Sequence, residues 1–445
     1  VQKQKKELDL LIAEIGSTTT LVNGFEGIQS GQPRFIGQGL APTSVLEGDV
    51  MVGLKEAIND LQKKLDIEEL VWKEFMATSS AAGGLKMTVH GLVKNMTVKA
   101  AREAALGAGG VIKMVTAGRL RASQLEEIIE TGPNIILLAG GVDYGEEEII
   151  LYNAEKLKGL DLDIPVIYAG NKVLQKEISR IFKDSGRELL ITENVYPEID
   201  TLNIQPTRKL IHEVFARHII KAPGMEKIKE MLSIDMLPTP GAVMEAALLL
   251  KEEIGNLVVI DVGGATTDVH SATTDSPVVK EVMISPEPEA KRTVEGDLGV
   301  YLNAPNVYQL LGEVDIEQQE VSPLPGSQEE RRYIELLTEK AVLTAVERHA
   351  GKYKDYYSPL GRQTVAEGKD LTAVKWIIGT GGALTRLERG KEILEGIKEK
   401  GGKRLFPGEE AEVLIDQDYI MASLGIMRQK YPEAALGLLK KSLRV

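Results

Sequence analysis

Glu14-Ile-Gly-Ser-Thr-Thr-Thr20 and Asp261-Val-Gly-Gly-Ala-Thr-Thr267 share one pattern: an acid, a branched aliphatic residue, a glycine, two further residues, then Thr-Thr. Each follows a short apolar run, 10–13 in the first case and 257–260 in the second. A phosphate oxygen can be held by backbone N–H groups that converge on it. That route needs glycine, because a side chain would block the approach and the turn can demand positive φ. Adjacent hydroxyls add donors without adding charge, and an acid at the end of the preceding strand can hold magnesium through the waters this ion retains. Gly16, Ser17, Thr18, Thr19 and Thr20 beside Glu14 fit these requirements, and so do Gly263, Gly264, Ala265, Thr266 and Thr267 beside Asp261.

A single turn of this kind is more often structural than functional. The repeated spacing argues against that reading, as does a third glycine turn, Gly379-Thr-Gly-Gly382, after Val374-Lys-Trp-Ile-Ile378. Other phosphate-binding patterns do not occur in the sequence. There is no G-x-x-x-x-G-K-[ST], and Gly379-Thr-Gly-Gly-Ala-Leu384 has leucine where G-x-G-x-x-G needs its last glycine.

Both acidic motifs read as a buried strand, a tight turn and a second strand. Their separation is too large for a solenoid repeat and suits a duplicated domain. Between them, strands leading into Gly140-Gly141 and over 164–168 and 188–192 alternate with helices over 146–157 and 173–182, the pattern of an open parallel sheet. This places an inserted, doubly wound α/β subdomain at 131–235. Pro238-Thr-Pro-Gly241 then breaks the chain and starts a helix over 242–254, where proline costs little because the first N–H groups are unpaired anyway. Past Asp261 come Pro286-Glu-Pro288, Glu295-Gly-Asp-Leu-Gly299 and Pro323-Leu-Pro-Gly326, then a helix over 329–349. A last helix is expected over 418–429, with Ala422 and Gly425 on one face.

The 445 residues are 43% hydrophobic and 27% charged, ordinary for a globular chain of about two to four domains. A net charge of −13 argues against nucleic acid as partner, whose phosphates need an electropositive surface. No apolar run approaches the ~20 residues that span a bilayer. Glu7 and Asp9 interrupt the basic start, so no secretory signal and a cytoplasmic location are expected. The absence of cysteine excludes disulfides, a thiol nucleophile and thiolate metal sites. His212 and His218 are too far apart for H-E-x-x-H and read as ordinary helix residues.

In this order, the three glycine segments resemble the first phosphate, second phosphate and adenosine motifs of the actin/Hsp70/sugar-kinase superfamily. The resemblance implies an α/β fold of two ribonuclease-H-like actin-type ATPase domains that hold ATP or ADP with Mg2+. Domain I would comprise 1–130 plus a C-terminal helix at 417–445, and domain II 236–416, with the inserted subdomain between. It also implies that Glu14 and Asp261 organise magnesium, that Gly16–Thr20 and Gly263–Thr267 cradle phosphates, and that Gly379, Gly381 and Gly382 face adenosine. The helices at 242 and 418 would cross between the domains, with Ala422 and Gly425 allowing close approach. Glu14 departs from the usual Asp, and Val22 stands where many members place a basic residue. Asp is therefore expected to be tolerated at 14, and Gln to be worse.

Thr78-Ser-Ser-Ala-Ala-Gly-Gly-Leu-Lys-Met87, Ala139-Gly-Gly-Val-Asp-Tyr-Gly145, Arg292-Thr-Val-Glu-Gly-Asp-Leu-Gly299 and Asp418-Tyr-Ile-Met-Ala422 resemble the glutamate mutase L family, distinct from the mismatch-repair protein of similar name. That family is encoded beside cobalamin-dependent mutases and aminomutases. The resemblance implies an ATP-dependent chaperone or reactivating factor with such an enzyme as partner, and a homo-oligomer is compatible with it. Asp268-Val-His270 begins a cobalamin D-x-H-x-x-G pattern, but Thr273 replaces its glycine, so the chain is not the cobalamin subunit. Glu295 and Asp297 sit in a glycine-bearing loop from which a water-orienting carboxylate could reach a γ-phosphate. Asp143 follows a strand and a Gly-Gly turn, at a strand end where open parallel sheets often bind ligands. The alternatives are a small-molecule kinase of the same fold, a nucleotide-binding scaffold without turnover, and a hydantoinase-like hydrolase on a related fold.

Overall fold

A computed structural model describes residues 5–44, 49–80, 85–183, 185–218, 224–312, 316–322, 325–358, 361–398 and 402–445. The segments read at 78–87 and 323–326 lie partly outside the described residues. The chain divides into two compact units, one of Val1–Ala82, Ile219–Met283 and Glu289–Val445, the other of Gly83–His218 and Ile284–Pro288.

Two five-stranded sheets of one topology build the first unit. In the first sheet, Lys5–Ile15 pairs antiparallel with Thr19–Glu26, which pairs antiparallel with Arg34–Pro42. Glu69–Ser79 adds in parallel on the other side, and Leu237–Pro238 adds in parallel beyond it. In the second sheet, Leu257–Val262, Thr267–Ala272 and Ala290–Glu295 form the antiparallel run, with Trp376–Thr380 and then Glu412–Ile415 in parallel. Three antiparallel strands followed by two parallel ones is the ribonuclease-H-like arrangement, here present twice in an α/β fold. The register repeats as well. Glu14 lies opposite Thr78 in its sheet, and Asp261 lies opposite Thr380 in its own.

The helices that follow the last strand of each sheet meet. Thr239–Ile254 carries Gly241, Ala242, Ala246 and Ala247 on buried positions. Met421–Met427 is buried throughout, and a Cβ on Gly425 would stand 1.8 Å from the carbonyl oxygen of Ala242. Only glycine permits that crossing. The helix expected over 418–429 is shorter than predicted: the buried Asp416 carboxylate accepts the N–H groups of Ile420 and Met421, so it begins at Met421. A second helix, Pro432–Leu443, ends the chain. Against the second sheet packs Gln328–His349, capped by Ser327 Oγ accepting from Glu330 N–H, with Glu329 and Glu330 in its first turn and Arg348 in its last, as the helix dipole favours.

The second unit has one parallel sheet, ordered Gly110–Ala117, Leu85–Gly91, Ile135–Leu138, Val166–Tyr168, Leu189–Ile191. Its core includes Ile136, Leu138, Ile150, Tyr168 and Phe182. The β-α-β-α-β series is where the sequence placed it, but the inserted unit is not 131–235. Leu85–Gly91 hydrogen-bonds to both Gly110–Ala117 and Ile135–Leu138, which draws everything from 83 onward into this sheet. At the other end, helix Met225–Met231 packs on helix Val50–Lys64 of the first unit, so the insertion stops at 218. Residues 284–288, read as a loop of domain II, also join it: Lys99 Nζ makes a 2.7 Å ion pair with the buried Glu287 and donates to the Pro286 carbonyl at 2.8 Å. Among the described residues no helix is long and apolar enough to cross a membrane.

Candidate functional site

The two acidic turns of the first unit close in the same way. Gly16 N–H donates to the Thr19 carbonyl at 2.9 Å, and Gly263 N–H donates to the Thr266 carbonyl at 2.9 Å. The turns face one another closely, since a Cβ on Gly264 would lie 3.2 Å from Thr18 Oγ1. Between them lies a cleft of about 380 Å3 lined by Glu14, Gly16 to Thr19, Asp261, Gly263 to Thr266 and Gly382. Thus two segments far apart in sequence form facing walls because each ends the first strand of a duplicated sheet.

Some predicted residues lie outside the lining. Thr20 is buried, 3.0 Å from the Thr43 hydroxyl, and Thr267 Oγ1 donates to the Leu298 carbonyl at 2.7 Å. Gly379 packs beneath Leu394 and Ile415. Gly381, at φ 84°, abuts Asp261: a Cβ there would be 2.5 Å from Asp261 Oδ1. These four shape the walls without facing the cleft.

Glu295 and Asp297 are not among the lining residues either. Both close on Arg348, whose Nη1 lies 2.7 Å from each carboxylate. The loop expected to aim an acid at a γ-phosphate instead folds its acids onto the end of helix Gln328–His349. Asp143, in the second unit, accepts from Lys172 N–H and Asn194 Nδ2 and pairs with Lys172 Nζ, which holds its carboxyl below the usual range despite partial burial. It braces three loops at the end of that sheet.

The cleft acids are crowded. Burial pushes the Glu14 carboxyl up to about 7, against the Ser423 hydrogen bonds and with the Asp416 charge adding to the rise. Burial, with the negative charges of Asp268 and Glu14, pushes Asp261 up to about 7 as well, and Arg292 only partly offsets them. Arg292 is instead committed to Asp268, through contacts of 2.9 and 2.5 Å to Oδ1. Asp416 is raised by burial despite donors from Ser442, Met421, Ile420 and Thr380. Such a concentration of carboxylates favours a cation. Among the described residues no group of three or more acids or histidines is arranged to hold a metal by protein ligands alone. Magnesium does not require that, since it commonly binds through one or two carboxylates, waters and the phosphates of its nucleotide. The donor set therefore fits a magnesium nucleotide.

Several cleft residues were not read from the sequence. Arg331 and Arg386 are the arginines of the lining, and Arg386 lies over the Tyr419 ring at 5.4 Å. Tyr419 itself stands at φ 51°. Ser423, Asn23 and Gln38 hold this wall from behind. Asn23 was detectable as an amide within Leu21-Val-Asn-Gly-Phe25, and Tyr419 lies in the family-like segment Asp418–Ala422; the others gave no periodic or motif signal.

The sequence of the MutL protein family matches residues 10–443. Protein MutL of Clostridium tetanomorphum is 37% identical over 426 residues, covering 90% of this chain and 92% of that protein. Among solved structures, nucleotide-free acetone carboxylase is 12% identical, with a TM-score of 0.39 over 94% of this chain and 70% of that one. Nucleotide-free diol dehydratase-reactivating factor is 11% identical, with a TM-score of 0.35 over 95% and 99%. Likeness at those scores adds nothing about ligand or partner.

Proposed function

The chain belongs to the MutL protein family, and we propose that it is a cytoplasmic, nucleotide-dependent chaperone or reactivating factor for a cobalamin-dependent mutase or aminomutase. The observation that carries the nucleotide part is the pair of identically closed glycine turns facing across one cleft, each with an acid at its base. Backbone N–H groups of Ser17 to Thr19 and Gly264 to Thr266 would hold phosphate oxygens, while the Gly16 and Gly263 N–H groups close the turns, and the Thr18 and Thr19 hydroxyls would be further donors. Asp261 would hold magnesium, with the Glu14 carboxylate beside it adding negative charge, and the bound ion would neutralise phosphate charge. The partner follows from the family resemblance.

Slow hydrolysis, or binding without turnover, is favoured by the acids present. Glu14, Asp261 and Asp268 are the lining carboxylates, and Asp268 is occupied by Arg292 and by Thr266 Oγ1 at 2.9 Å. A factor that grips and releases an enzyme needs ATP and ADP states with different partner affinity, not fast chemistry. The test is to inactivate the neighbouring mutase by turnover and add this protein with ATP and fresh adenosylcobalamin. Recovery that needs ATP and is lost in Asp261→Ala is expected. No recovery, together with no nucleotide-dependent co-purification, would remove the reactivase reading and leave the family assignment intact.

A further inference from the structure

Behind the cleft, two side-chain amides join its opposite walls. Asn23, fully buried, comes from strand Thr19–Glu26, and Gln38, half-buried, from Arg34–Pro42, so both belong to the first sheet. Asn23 Nδ2 donates to Glu14 Oε1 at 3.3 Å and to Ser423 Oγ at 2.9 Å. Asn23 Oδ1 accepts from Gln38 Nε2 at 2.9 Å, and the same nitrogen donates to the Tyr419 carbonyl at 3.1 Å. Gln38 Oε1 in turn accepts from Arg386 Nη2 at 2.6 Å. Ser423 completes the circuit by donating to Glu14 Oε1 from both its N–H, at 3.0 Å, and its hydroxyl, at 2.6 Å.

Each amide nitrogen has two hydrogens, and both are used on Asn23 and on Gln38. Neither amide can turn over: a flipped Gln38 would set its NH2 against the Arg386 guanidinium and its oxygen against Asn23 Oδ1. The circuit thus has one arrangement. It begins on Glu14, beside the first glycine turn, and ends on Ser423, Tyr419 and Arg386, which follow strands of the second sheet. The Glu14, Asn23 and Ser423 bonds are buried, so an unpaired member there bears its full desolvation penalty, whereas the Gln38–Arg386 bond at the far end is exposed.

We propose that Asn23 and Gln38 are positioning residues, a two-amide relay that clasps the Glu14 wall of the cleft to the Ser423–Arg386 wall and so sets how readily the cleft releases nucleotide. This rests on the nucleotide reading above. Opening the cleft separates the walls, and the relay's bonds must break in that movement. Release is slow while the clasp holds and fast once any link is removed, because each link serves the same closure. Loss of Gln38 and loss of Ser423 therefore act on one event, although their side chains are joined only through Asn23.

Two measurements on the full chain test this. In nucleotide-free protein, Gln38→Leu should speed hydrogen–deuterium exchange of the segment containing Ser423 about tenfold, without changing exchange at 85–91 in the second unit. With magnesium and a fluorescent N-methylanthraniloyl derivative of ADP, Gln38→Leu and Ser423→Ala should each speed release about tenfold, equivalent to about 1.4 kcal/mol. The double variant should be no more than about threefold faster than either one, because coupled residues are non-additive. Additive acceleration of about a hundredfold would overturn the relay, as would unchanged exchange with unchanged release in Gln38→Leu. A wild-type protein that binds no ADP would overturn the nucleotide reading and the proposed role in release, and the exchange result would then judge the clasp separately.

Discussion

Glu14 and Asp261 occupy equivalent places in two copies of one sheet, yet their surroundings differ. Each ends the first strand, each lies opposite a threonine of the fourth strand, and each precedes a glycine turn closed by the same 2.9 Å bond. Glu14 is 5% exposed, with Oε1 taking donors from Ser423 N–H, Ser423 Oγ and Asn23 Nδ2. Asp261 opens onto the cleft and its carboxylate receives no hydrogen bond among the described residues; its raised pKa comes from burial and neighbouring acids, with only the Arg292 charge opposing them. Duplication supplied two acids at one geometric position. The extra methylene of Glu14 lets it reach helix Met421–Met427, which turns that copy toward holding the walls together and leaves Asp261 as the acid open to a cation.

The largest expected effect follows from this division. Asp261→Ala should weaken magnesium-dependent ADP binding by about a hundredfold or more, roughly 2.7 kcal/mol, while ADP binding in excess EDTA changes little. Isothermal calorimetry with and without magnesium measures both. Equal losses in the two buffers would mean that Asp261 supports the turn and not the cation.

The same acids predict how stability varies with pH. A carboxyl whose folded pKa lies near 7 and whose unfolded pKa lies near 4 favours the folded state fully below about 4. That contribution falls as pH rises and is gone once pH passes about 7, because the unfolded chain ionises first. The melting temperature of the nucleotide-free protein should accordingly decline between pH 4 and 7 from these groups. Asp261→Asn should flatten part of that decline, and magnesium with ADP should flatten it too, since a cation favours the ionised form. Parallel melting curves for wild type and Asp261→Asn across this range would contradict the crowding of charge in the cleft.

A smaller and more diagnostic effect is expected at Glu14. The sequence pattern favours Asp over Gln there, whereas the Ser423 grip predicts the reverse. Glu14→Gln keeps an Oε1 that accepts from Ser423 and Asn23 and should lose no more than about fivefold in ADP affinity, about 1 kcal/mol. Glu14→Asp withdraws that oxygen by a methylene and should lose more. Titration of both variants with magnesium and ADP ranks them. If Asp outperforms Gln, charge toward the cation governs this position and the two copies are more alike than their contacts indicate.

That reversal marks where the sequence stopped being informative. The glycine turns were legible because phosphate-holding backbone needs particular residue types at fixed spacing, and the strands because their apolar runs end at those turns. The close helix crossing was legible from Gly425, since small residues are what such contacts require. Asn23, Gln38 and Ser423 were not, because a hydrogen-bonded circuit among residues hundreds of positions apart has no local pattern. The insertion boundary failed for a related reason. Leu85–Gly91 alternates Leu85, Met87 and Val89 with Lys86, Thr88 and His90, a pattern that names no particular sheet, and its pairing with Ile135–Leu138 is what assigns it to the second unit. Glu295 and Asp297 were plausible from loop position alone, and the direction of a loop is a tertiary property.

Those two acids give the smallest expected effect. Arg348 holds Asp297 through two contacts, Nη1 to Oδ1 at 2.7 Å and Nη2 to Oδ2 at 2.9 Å, and its hydrogen bonds keep that carboxyl below the usual range. An acid so placed stays ionised near neutral pH with both oxygens engaged, which leaves little for orienting water. The Arg348 and Asp297 side chains are 38% and 47% exposed, so water screens the pair and its net worth is about 0–1 kcal/mol. Asp297→Asn and Glu295→Gln should each change ATP turnover by less than about twofold, because neither carboxylate lines the cleft. Thermal unfolding should move by no more than a degree or two, while Asp261→Ala in the same assay removes the magnesium response. A tenfold loss of turnover in Asp297→Asn, with nucleotide affinity unchanged, would instead show that the loop leaves Arg348 and swings into the cleft when nucleotide binds.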